Sequence, residues 1–297
     1  MISGMVEQSA GNLTSAAERF SDAASQAVHL LSTDEGVCLY LHAVVLLGAL
    51  HRSEGEYTEA MIVLRKALEY SEDLAADPLD VAAVCNELGV VCKYSGRFND
   101  SALYYGQALS LLQAVLGTDD LELASIYHNI GGLEYARGAY ETAEEPARRA
   151  VTLRERALGA NHPAAAADRA ALAPILFELG QGAEAERLLR EALAVFGDTY
   201  GPNHYETAIA LSNLAAVIHA RGAGQEADAH YVRALNILES VLGPDHPELA
   251  PVLHNLARLR REQHDSDTAR LFNNRARSAL EKAVEPDHPT LAAINDE

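Results

Sequence analysis

The chain has 297 residues, 48% of them hydrophobic, enough to bury a substantial core in one elongated domain or two compact ones. Asp and Glu number 43 against 23 Lys and Arg, a formal net charge of -20 that repels a phosphate backbone or an anionic lipid surface. Nucleic acid and membrane are therefore not expected as partners. The N-terminal stretch MISGMVEQSAGNLTSAAERF has neither a basic n-region nor an apolar h-region, and no later run reads as the roughly 18 to 20 apolar residues that cross a bilayer, so a cytoplasmic location is expected.

Taken from the N-terminus, small and apolar residues recur with fixed spacings. Gly4, Gly11, Leu13, Ala16 and Ala23 form a partial unit over residues 1–30. Leu47, Gly48, Gly55, Tyr57, Ala60 and Ala67 mark a first full unit near 36–77. Leu88, Gly89, Gly96, Ser101 and Ala108 mark the second, 78–119, and Ile130, Gly131, Gly138, Ala143 and Ala150 the third, 120–161. The fourth (162–203) carries Leu172, Ala173, Gly180, Ala185 and Ala192, and the fifth (204–245) Leu214, Ala215, Gly222, Ala227 and Ala234. In the sixth (246–287), Leu256, Ala257, Ala269 and Ala276 keep the register while His264 replaces the glycine, and a partial helix follows over 288–297. The period is 42 residues from Gly96 onward, without insertion.

Residues three, four and seven apart share one helical face, and small side chains let helices approach closely. Each unit therefore reads as a helical hairpin whose central glycine makes the turn. One hairpin cannot cover its own apolar face, so neighbours must stack in a solenoid. Cys38, Cys85 and Cys92 form no CxxC pair and read as small buried apolar residues.

The pattern L-G/A, then G-x-Y/F-x-x-A, then a second Ala seven residues on resembles the tetratricopeptide repeat. The 42-residue period with LGxxHP linkers resembles its kinesin light chain-like subclass, as found in bacterial arrays. The resemblance covers about residues 4 to 288. It implies an all-α, right-handed superhelical solenoid of antiparallel helix pairs in a single domain over 1–297, about six full repeats plus a partial repeat at each end. Its concave groove, lined by the first helix of each pair, would bind a peptide or protein segment.

The linkers LGTDDL, LGANHP, YGPNHY, LGPDHP and VEPDHP place histidines at 162, 204, 246 and 288. They read as punctuation: a glycine at a helix C-terminus, then an Asp or Asn to cap the next helix. Asp119, Asn203 and Asp245 each precede a Glu by three residues, the spacing of a capping box. Equivalent linkers of packed hairpins stand more than about 8–10 Å apart, so these histidines cannot converge on one ion.

By the resemblance, two adjacent first-helix positions face the groove. One holds Asn86, His128, Ala170, Ser212 and His254; the next holds Glu87, Asn129, Ala171, Asn213 and Asn255. Asn129, Asn213 and Asn255 would hydrogen-bond the backbone of a bound segment, while Ala170 and Ala171 depart from the pattern. A third row, Arg52, Lys93, Tyr135, Phe177, His219 and Arg261, should border the same concavity, with basic residues at its ends and aromatic ones at its centre. Pro174 should kink its first helix. The partner expected is a protein or peptide with an apolar or aromatic centre and acidic flanks, and the uncapped ends suggest either self-association or excision from a longer chain.

No chemistry-bearing motif accompanies the repeats: GxxxxGK[ST], HExxH and GxSxG are absent from the sequence. No enzyme, cofactor or metal is expected. Two alternatives stand beside the scaffold: a regulatory or sensor module of a larger signalling NTPase system, and an enzyme or small-molecule site with a pocket around His128, Tyr135 and Phe177.

Overall fold

The structure is a computed structural model that describes residues 19–22, 24–29, 31–286 and 288–295. Among the described residues all regular structure is helical. The marks Gly4, Gly11, Leu13, Ala16 and Ala23 lie outside them. After helical residues at 19–22 and 24–28, the hairpins are α1 (Asp34–Ser53) with α2 (Tyr57–Asp73), α3 (Pro78–Tyr94) with α4 (Phe98–Leu116), and α5 (Leu123–Ala136) with α6 (Tyr140–Leu158). They continue with α7 (Pro163–Glu178) and α8 (Gly182–Tyr200), then α9 (Tyr205–Ala220) and α10 (Gly224–Leu242). A 3-10 turn, Pro247–Leu249, leads into α11 (Ala250–Glu262), which pairs with α12 (Ser266–Leu280); α13 is Pro289–Asn295. Two compact units, Met1–Asn129 and Ile130–Glu297, divide the chain within α5.

In the first unit α1 packs on α2, α3 on α4, and α1 on α3. In the second, α7, α9 and α11 stack in succession, each backed by its own second helix, and α13 packs on α11 and α12 through the buried Leu291 and Ile294. The small residues lie where hairpin partners meet. A Cβ on Gly89 would stand 2.4 Å from the buried Tyr105 ring, and one on Gly48 2.7 Å from Leu64. Ala173, Ala215 and Ala257 are fully buried at the same position.

Every hairpin turn closes in the same way. The residue after Gly96, Gly138, Gly180, Gly222 or His264 donates its N–H to the carbonyl five residues back, as Arg97 does to Cys92 at 2.8 Å and Asp265 to Arg260 at 2.9 Å. This is the Schellman closure, which needs a left-handed residue. Gly96 supplies it at φ 89°, and His264 adopts φ 63° despite its Cβ.

The linkers differ from the expectation in their capping residue. His162, His204, His246 and His288 accept the N–H two residues on through Nδ1, each at 3.2 Å, and Asp120 takes that position in LGTDDL by accepting from Glu122 at 2.9 Å. The histidine, rather than the preceding Asp or Asn, satisfies the helix terminus. Its ring reaches the amide because the residue is already extended at N-cap (φ -74°, ψ 136° at His162).

Two further readings are corrected. Cys85 and Cys92 are buried, but Cys38 is only half-buried. The sequence reading found no span-length apolar segment, yet α1 has the length and composition to cross a membrane. Within the fold 56% of its apolar window is buried, as in a core helix.

Candidate functional site

Stacking of first helices brings together residues about one period apart. In the first unit Asn129 Nδ2 donates to Asn86 Oδ1 at 2.8 Å, joining α3 to α5 through two half-buried amides. His128, next to Asn129, is half-buried as well. Arg52 donates through Nε to Glu87 Oε1 at 2.7 Å, and the Glu87 side chain is only 7% exposed. Lys93 holds its ammonium 4.5 Å from the centre of the Tyr94 ring. Arg52 and Glu87, placed in different rows by sequence, thus form one ion pair.

In the second unit the third row is taken up largely by packing. Tyr135 and Phe177 lie against the core, and Tyr135 also packs on Tyr140 with ring centroids 5.5 Å apart. Burial first, then the Glu178 charge, pushes the Tyr135 phenol up to about 12. His219 is buried and shares its Nε2 with Glu262 Oε2 at 2.8 Å, its ring edge-on to Tyr231. A carboxylate accepts only, so Nε2 carries the hydrogen.

α7 runs unbroken through Pro174, which has no N–H to give the carbonyl of Ala170 four residues earlier. Asn213 Nδ2, from α9, stands 3.5 Å from that carbonyl oxygen. The proline is accommodated by a donor from the next repeat. Ser212, His254, Asn255 and Arg261 are half-buried on α9 and α11, and the Asn255 side chain has no hydrogen-bond partner among the described residues. Ala170 is buried and Ala171 half-buried, leaving the fourth repeat apolar at both rows.

The sequence reading missed the partners. Asn86–Asn129, Ala170–Asn213, Tyr205–Glu248 and His219–Glu262 are each 43 residues apart, so offsetting the period by one residue would have exposed them. It also missed the ion pairs that cross between α6 and α7, Arg154 with Asp168 at 2.5 Å and Arg169 with Glu155 at 2.6 Å. Among the described residues two groups bring three metal-capable donors together, Cys38 with His42 and Asp80, and His51 with Glu54 and Glu56.

Models of the tetratricopeptide repeat match residues 80–156, 122–196, 163–222 and 206–282, and another matches 41–74. No curated protein matches in sequence. Among solved structures, nearly identical repeats of a putative kinesin light chain from Podosopora anserina are 20% identical, over 67% of this chain and 95% of that one, at a TM-score of 0.52. NprR in complex with its cognate peptide NprX is 13% identical over 97% of this chain and 84% of that one, at a TM-score of 0.69. The Rap conjugation regulator of plasmid pLS20, in complex with the Phr* peptide, is 16% identical over 91% and 70%, at 0.68. Family models spanning most of the sequence, and hairpins closed by the same turn at each repeat, lead to one assignment: the chain belongs to the tetratricopeptide repeat family.

Proposed function

We propose that the protein is a non-catalytic scaffold that holds a peptide or protein segment against the first-helix face of its repeats. The observation that carries this reading is the set of half-buried polar side chains there: Asn86, His128 and Asn129 in the first unit, and Ser212, His254 and Asn255 in the second. Side chains of this kind hydrogen-bond an extended backbone without demanding a particular sequence. Two similar structures, NprR and the pLS20 Rap regulator, hold peptides, which supports the same use here. Half-buried Ala171 and Pro174 favour an apolar or aromatic centre in the bound segment. A preference for acidic flanks would draw on the basic residues of the third row, Arg52, Lys93 and Arg261, of which Arg52 is paired with Glu87 and Lys93 lies over the Tyr94 ring.

Asn255 makes the cleanest test, because Asn129 and Asn213 also bond within the fold. A library of acidic aromatic peptides is titrated against the full chain and against the Asn255→Ala variant, with melting followed alongside. Binding weakened by about tenfold, at unchanged melting, is expected from the loss of one or two buried hydrogen bonds. Equal binding by the two proteins rejects this face as the site.

A further inference from the structure

Cys38 and His42 lie four residues apart on α1 and so share one of its faces. That face meets Asp80 in the first turn of α3. Cys38 Sγ stands 3.4 Å from His42 Nδ1, and His42 Nε2 stands 3.5 Å from Asp80 Oδ1. One donor atom from each of the three residues lies within 4.8 Å of the other two. A tetrahedral zinc ion, bonded at about 2.3 Å to sulfur and about 2.0–2.2 Å to nitrogen or oxygen, needs donors separated by about 3.5 Å. The two contacts use opposite nitrogens of the His42 ring, so side-chain rotation must bring one of them to face both the sulfur and the carboxylate, and the 4.8 Å spread of the donors leaves that within reach.

The surroundings favour a cation as well. The Asp80 side chain is 14% exposed and lies at the α1–α3 contact, whereas that of His42 is 59% exposed. Besides Asp80, the carboxylates of Asp77 and Glu35 bear on the Cys38 sulfur. A divalent ion would offset that negative charge and, on binding, displace the thiol proton to solvent. The donor types narrow the choice: thiolate and imidazole suit zinc-class ions, whereas magnesium and calcium take oxygen ligands.

We propose that Cys38, His42 and Asp80 form a three-ligand site for a borderline divalent cation of the zinc class, its fourth position open to water or an external donor. The ion would fasten the first helix of one repeat to that of the next. The site is independent of peptide binding, and each idea can fail without the other.

Metal-free full-length protein is dialysed against buffered Zn2+, and bound metal is counted; Co2+ then serves as a spectroscopic probe. About one ion per chain is expected, with a thiolate-to-cobalt absorption band and a higher melting midpoint when Zn2+ is present. Cys38→Ser and Asp80→Asn should each weaken binding tenfold or more, as loss of a ligand exceeds the about 10- to 100-fold effect of outer-sphere changes. Should Asp80→Asn lose helicity, Cys38→Ser, a near-isosteric change on the half-buried side chain, decides alone. Binding unaltered by Cys38→Ser, or a cobalt spectrum without the thiolate band, overturns the proposal. So does zinc binding abolished by His51→Ala, which would place the ion at His51, Glu54 and Glu56.

Discussion

The side-chain amide of Asn213 stands 3.5 Å from the carbonyl oxygen of Ala170, the acceptor that Pro174 leaves without its helical donor. The pair crosses from one repeat to the next, so the cost of a proline within α7 is offset by a residue 39 positions later in sequence. By resemblance alone, Asn213 would belong to the ligand; in the structure it reaches a carbonyl of the fold.

A double-mutant cycle measures that second role. Asn213→Ala should destabilise the protein by about 0.5–1 kcal/mol, the lower part of the range for a buried hydrogen bond, given the length of this one. In a Pro174→Ala background, where residue 174 can donate to Ala170 itself, the same change should cost close to nothing. Urea unfolding followed by circular dichroism gives both values. Equal costs in the two backgrounds would show that Asn213 does not serve that carbonyl.

His162 caps α7 through Nδ1 from an exposed position, so its substitution reports on capping with little change in packing. His162→Ala should cost about 0.5–2 kcal/mol, whereas His162→Asp, which provides an acceptor as Asp120 does in its own linker, should cost much less. The two unfolding midpoints settle the point, and equal losses would assign the histidine a role other than its lone pair.

Glycines at different places should respond with opposite signs to alanine. Gly159 sits at φ 87°, ψ 154°, a region closed to residues with a Cβ, although an added methyl there would touch nothing. Gly159→Ala should therefore cost about 1–3 kcal/mol through the backbone alone. Gly106 lies inside α4 with open space around its Cα, and Gly106→Ala should stabilise by about 0.5–1 kcal/mol. Replacing His264, left-handed at φ 63°, by Gly should likewise raise stability, by about 1 kcal/mol. Calorimetric melting of the three variants checks all three directions.

The thiols should separate by burial. Cys85 and Cys92 are buried and their pKa values are pushed up to about 11, so neither offers thiolate or access near neutral pH. Cys38 is half-buried and should react first with an aromatic disulfide reagent, one thiol per native chain against three after unfolding. Zn2+ should slow that single reaction. Simultaneous labelling of all three thiols in the native protein would contradict the burial assigned to Cys85 and Cys92.

The repeat is legible in the residues alone, because the 42-residue period, the small residues at Gly89 or Ala215 and the turn at Gly96 or Gly138 are local requirements of helix faces and left-handed turns. Even His264 was legible as the substitute in a glycine series. Which side chains meet is set by the packing of one helix on another. Asn86 with Asn129, His219 with Glu262, and Asp80 with Cys38 and His42 depend on how far one helix slides and turns against its neighbour. The period of a single helix does not encode that offset. The same holds for the linkers: sequence marked where a cap was needed, but the extended backbone at His162 decided that the imidazole nitrogen would fill it.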